Sequence, residues 1–148
     1  MLFRSQRVRL KMMSPQQIII EGAISNKIIC ATMLKRWVKQ KAAIFLQNRL
    51  MQLAERVQLP FDIFAVRDMK SRWGSCSSQR KITLCVNLIF LPLYLIDHVL
   101  LHELCHTKYM SHGKRFWHLL ARFDPDAKQH NHELKKATQF IPSWLFCQ

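Results

Sequence analysis

Apolar and polar positions follow more than one period along this 148-residue chain, and each change of period marks a new element. Residues 17–31 are rich in β-branched side chains, with Ile18, Ile19, Ile20, Ile28 and Ile29 interrupted by Gly22 and Asn26, so a short hairpin is expected there. From residue 34 to residue 59 the period is helical. Leu34, Val38, Phe45, Leu50, Leu53 and Val57 form an apolar stripe with Lys35, Lys39, Gln47 and Arg56 elsewhere, and Pro60 is the expected stop. Residues 61–66 and 81–90 read as strands flanking a loop that holds Arg72, Trp73, Gly74, Ser75 and Cys76. A second helix is predicted from residue 92 to residue 110, with Pro92 in its first turn and Leu93, Ile96, Leu100 and Leu104 on one face. Phe116, Trp117, Leu119, Leu120 and Phe123 then outline a short helix ending near Pro125, its aromatic pair read as core. A polar helix and an apolar tail with Trp144 and Leu145 close the chain, and the layout is α+β.

The second helix carries chemistry on its other face. His102 and His106 are four apart, so both rings point the same way and reach one metal ion, while Glu103 faces a water bound to that ion. His112 follows ten residues after His102, the third-ligand spacing of H-E-x-x-H-x-x-G-x-x-H sites. Three protein ligands and one open position describe a catalytic zinc site holding one ion. His98 competes with His112, since 98, 102 and 106 form an i, i+4, i+8 ladder. A straight helix separates its ends by about 12 Å, too far for three rings to surround one ion, so His112 is preferred and His98 is expected to line the cleft or to be a satisfied helix histidine. Tyr109 stands where the longer motif has a glycine, and Gly113 is the expected source of backbone freedom after His112. His118, His130 and His132 lack partner spacing and are expected at the surface.

Composition narrows the setting. The length suits one domain. The longest apolar run, residues 82–101, is broken by Asn87, Pro92, Asp97 and His98, which argues against a membrane span, and the start lacks the apolar core of a secretory signal. Five cysteines, at 30, 76, 85, 105 and 147, exclude a fully paired disulfide framework and favour a reducing, cytoplasmic location. Cys105 and Cys76 are expected to be packing residues. The net charge of +14 is uneven: eleven Lys and Arg against two acids up to residue 60, then twelve against seven. Arg4, Arg7, Arg9 and Lys11 form a basic arm and Lys35, Arg36, Lys39 and Lys41 a basic helix segment, both suited to DNA or another polyanion.

KSRWGSCSS (70–78), ITL (82–84), Leu91–Pro92, IDHVLLHELCH (96–106) and SHGKRFW (111–117) resemble the YgjP-like metallopeptidase family, itself similar to the SprT-like and Wss1-type zincins. The resemblance spans roughly residues 34–126. It implies a minimal zincin fold, with a small mixed or antiparallel sheet packed on a long N-terminal helix and the HExxH helix. It also implies zinc on His102, His106 and His112 with Glu103 as catalytic base. SprT-like and Wss1-type relatives cleave proteins bound to DNA. Cys85 stands where family members commonly have Asn, and His98 where they have Tyr. The segment before the long helix is shorter than usual for the family, so residues 1–33 are expected as a basic arm with a possible short hairpin and residues 34–148 as the metallopeptidase domain.

The expected function is peptide-bond hydrolysis through a metal-bound water, with a protein or peptide substrate laid along a sheet edge as an added strand. The strand after the RWGSC loop or the one before it is the expected edge. Tyr109, His98 and Arg72 are the candidates for stabilising the transition state or lining the cleft. Two other classes are open: a basic nucleic-acid-binding protein with a structural or residual metal site, and a metal-dependent hydrolase of a non-peptide bond. Glu103 weighs against the former, because a structural site needs no carboxylate at the open position.

Overall fold

Asn26 decides where the long helix begins. Its carbonyl accepts the Cys30 N–H at 3.1 Å and its side-chain Oδ1 accepts the Ile29 N–H at 3.1 Å, so it caps a helix, α1, running from Lys27 to Val57. The computed structural model describes residues 8–14, 17–22 and 24–146; Arg4, Arg7 and Cys147 lie outside these. Two compact units divide the chain, Met1–Val38 with Pro142–Gln148 and Lys39–Ile141.

In the first unit, β1 (Val8–Ser14) and β2 (Gln17–Gly22) pair antiparallel with Leu10 opposite Ile20, and the register shifts between Met12 and Ser14. The hairpin expected within 17–31 thus lies further upstream. Asn suits turns and helix caps equally, and the capping role prevails, drawing Ile28 and Ile29 into α1 against their β preference.

The second unit is built on the C-terminal part of α1. Ala42, Leu46, Leu50, Leu53 and Val57 are buried at spacings of three and four. Phe45, read as part of the stripe, is 40% exposed, because one residue rotates a helix by about 100° and Leu46 takes the inward position. α1 ends with Gln58 in the left-handed region (φ 57°). The Leu59 N–H bonds the Ala54 carbonyl at 3.1 Å and the Gln58 N–H bonds that of Glu55 at 3.3 Å, a Schellman closure two residues before Pro60.

Three strands form a mixed sheet in the order β3–β5–β4, with β3 (Ile63–Arg67) parallel to β5 (Lys81–Cys85) and β4 (Gly74–Cys76) antiparallel to it. β4 belongs to the segment read as a loop. The strand expected over 81–90 stops at Cys85. Ile82 and Leu84 are buried at the strand period, but Cys85 and Val86 are buried consecutively, a pattern no pleated strand with one apolar face sustains, and Val86–Phe90 coils into a 3₁₀ helix.

α2 runs from Leu93 to His106 and packs against β4, α3 (Lys114–Phe123) and α4 (Ala127–Leu134). It stops short of Met110: the Thr107 N–H bonds Leu104 O, and the Lys108 and Tyr109 N–H groups both bond Cys105 O, which turns the chain out of the helix. Leu93, expected on the apolar face, is 51% exposed in the first turn, while Leu95, Ile96, Val99, Leu100, Leu101, Leu104 and Cys105 are buried. A helix covered on several sides has no single apolar stripe to read. Arg49 of α1 clamps Asp97 of α2 through two short bonds, Nε–Oδ1 2.7 Å and Nη2–Oδ2 2.6 Å, a bidentate geometry that fixes the rotation of α2. Among the described residues no helix is long and apolar enough to cross a membrane.

Candidate metal centre

α2 and the loop after it bring three imidazoles to one point. His102 Nε2 lies 3.1 Å from His106 Nε2 and 3.1 Å from His112 Nε2, and the last two are 3.0 Å apart. The His106 Nδ1–H donates to the Tyr109 carbonyl at 2.9 Å, so its Nε2 presents a lone pair to the other two rings. Three converging ring nitrogens cannot all satisfy one another as donor and acceptor. A cation among them can: at zinc–nitrogen bonds of about 2.0–2.1 Å, tetrahedral ligands stand roughly 3.3 Å apart, close to the spacing seen. Burial, with His106 and His112 close by, pushes the His102 imidazole down to about 3 and holds His106 below its ordinary range, so both favour the neutral form that ligation requires.

Phe116 is the floor of this cluster. Wholly buried on α3, its ring stacks on His106 (centroids 4.4 Å, 26°) and meets His102 and His112 edge-on at 4.8 and 4.9 Å. Its helical spacing marks it only as core, so its contact with all three rings was not legible in the sequence. Gly113 has an ordinary extended backbone (φ −75°, ψ −178°) where any residue fits, so the turn after His112 does not draw on glycine's freedom.

Glu103 lies on the same helix, buried against β4. An ideal Cβ on Gly74 would fall 2.9 Å from Glu103 Cγ and 2.9 Å from its Oε1, so the glycine of the RWGSC segment is there for space. Burial pushes the Glu103 carboxyl up to about 7 against the opposing pull of the Arg72 charge.

The remaining candidates separate. Arg72 is exposed and acts on Glu103 through its field. Tyr109 meets the cluster through its main-chain carbonyl. His98, expected to line the cleft or to be a satisfied helix histidine, is 1% exposed: its Nδ1 is 2.5 Å from Asp124 Oδ2, and its Nε2 has no hydrogen-bond partner among the described residues. His130, expected at the surface, is half-buried with its Nδ1 2.9 Å from the same oxygen. Both placements follow from α3 and α4 folding back on α2, which brings together residues 26 and 32 positions apart. Cys105 is buried in the core, its thiol pushed up to about 12 by burial, and Cys76 is raised to about 11 by burial and the Glu103 charge. The Cys85 thiol donates to the Met69 carbonyl at 3.3 Å.

A basic depression of about 380 Å³ adjoins the His112 loop, lined by Lys108, Tyr109, Lys114, Arg115, His118, Leu119 and Arg122, with no acid among them. Charge counting had pointed instead to the N-terminal third.

Known proteins agree with this architecture. The family model described as YgjP-like, metallopeptidase domain, matches residues 8–137. Among solved structures, the metallopeptidase zymogen of Pyrococcus abyssi abylysin is similar, with 21% identity, 64% of this chain and 95% of that chain covered, and a TM-score of 0.57. At that identity the likeness is one of fold, a small α+β, zincin-like architecture. No curated protein matches the chain.

Proposed function

The chain belongs to the YgjP-like metallopeptidase family, and from that premise we propose that it is a zinc-dependent peptidase with its ion on His102, His106 and His112 and Glu103 as general base. The observation that carries the reading is the convergence of three Nε2 atoms to 3.0–3.1 Å beside a buried carboxylate. A zinc ion held there supplies Lewis acidity, polarising a carbonyl oxygen and acidifying water.

The side chains do the rest. The Tyr109 carbonyl fixes the His106 tautomer, and the Phe116 ring limits the rotation of all three imidazoles. Glu103 takes the proton of the attacking water and returns it to the departing amine. Of the two strands expected as the substrate edge, the one after the RWGSC segment, β5, is central, whereas the one before it, β3, is an edge. β4 is an edge of the sheet and touches Glu103 through Gly74, so an extended protein or peptide substrate pairs there as an added strand, its scissile bond carried over the carboxylate. Arg72, two residues before β4, is placed to meet developing negative charge.

Cleavage of casein by wild type, Glu103→Gln and His112→Ala, with bound zinc measured in each, tests the proposal. Glu103→Gln keeps zinc and loses about 10²–10⁴-fold in rate, and His112→Ala loses zinc. Equal cleavage by wild type and Glu103→Gln overturns it. Nucleic-acid binding is a second property, favoured by the cations Lys108, Lys114, Arg115 and Arg122 around one acid-free depression. DNA affinity that falls steeply with salt and weakens in Arg115→Ala/Arg122→Ala bears it out, and unchanged affinity in that double variant removes it.

A further inference from the structure

One turn before His102, α2 carries His98, the centre of a second cluster that peptide hydrolysis does not employ. Its Nδ1 and that of His130 lie 2.5 and 2.9 Å from one oxygen, Asp124 Oδ2, and the three atoms are within 4.8 Å of one another. Asp124 is buried, and among the described residues its side chain pairs with these two imidazoles and with no Lys or Arg. A carboxylate removed from water calls for a positive charge nearby.

Two imidazole nitrogens and one carboxylate oxygen are a complete donor set for a first-row divalent ion. We propose that His98, Asp124 and His130 form a second divalent-metal site beside the His102, His106 and His112 triad. An ion there would supply positive charge directly to Asp124. Separating the donor atoms from hydrogen-bonding to tetrahedral ligand spacing takes about 0.8 Å at the shorter pair, which is 2.5 Å apart. His130, half-buried on α4 with its ring 5.2 Å from that of Tyr94, is the member nearest solvent and the route of entry. Ligation through Nδ1 moves the His98 proton to Nε2, where no acceptor waits, so this site is the weaker of the two, by roughly 10–100-fold.

Titrating the metal-free protein with Co²⁺, following its visible absorption and counting bound ions by elemental analysis, tests the site without reference to activity. Wild type is expected to take up two equivalents, one tight and one weak. Asp124→Asn, which keeps the side chain's shape, and His130→Ala, on a more exposed ring, each lose the weak equivalent only, whereas His112→Ala keeps it and loses the tight one. A single equivalent in wild type that vanishes in His112→Ala and survives in His130→Ala overturns the second site and leaves the peptidase site standing. A single equivalent with the reverse pattern supports this site and overturns the other. Two equivalents undiminished in both Asp124→Asn and His130→Ala also overturn it.

Discussion

The two histidine clusters around α2 use the same ring in opposite ways. In the triad, three imidazoles face one another without a carboxylate among them, and the nearest acid, Glu103, is buried beside the cluster with its pKa raised. In the His98 cluster the carboxylate is inside, accepting from both imidazoles. The first arrangement leaves lone pairs converging and an acid free to exchange protons, whereas the second already makes hydrogen bonds that hold α3 and α4 to α2. In the metal-free protein the fold leaves the triad's groups underused and engages those of the second cluster, so an ion at the second cluster has hydrogen bonds to displace.

The largest effect that sharpens this contrast is on stability. Glu103 titrates near 7 when folded and near 4.5 when unfolded, so its raised pKa stabilises the fold fully below pH 4.5, and this contribution is lost as pH rises through 7. In metal-free protein, Glu103→Gln is therefore more stable relative to wild type at pH 8 than at pH 4, by about 3 kcal/mol, in denaturant unfolding. Parallel pH dependence of the two proteins contradicts the assignment.

Next in size is Gly74→Ala. The added methyl displaces the Glu103 carboxylate while leaving the imidazoles alone, so cleavage falls about 10–100-fold with zinc content unchanged. Loss of zinc instead would show that β4 supports the triad itself.

Asp124→Ala leaves two imidazoles unpaired and costs the metal-free fold about 1–2 kcal/mol by denaturant unfolding. His112→Ala, at an exposed position, costs the same metal-free fold less than about 0.5 kcal/mol. Equal costs would erase this distinction between the two metal-free clusters.

Periodicity placed β3, α2 and α3 to within about four residues, while α1 begins seven residues before its expected start at 34 and β5 ends five residues before its expected end at 90. It failed where two local signals compete, as at Asn26, whose cap outweighed the β preference of Ile28 and Ile29. It failed too where burial is continuous, as from Cys85 to Val86 and along α2. β4 was hidden because three residues are too short for any period to declare itself.

By itself, the sequence determined that His102, Glu103 and His106 share one helix, since a spacing of four is a distance whenever the backbone is helical. Tertiary structure alone decided how His112 closes on them, that Phe116 lies beneath all three rings, that Gly74 leaves room for Glu103, and that Asp124 meets His98 and His130. Those approaches join separate elements. Their distances are set by the loop after α2 and by the packing of β4, α3 and α4 against that helix, where no local spacing can carry them.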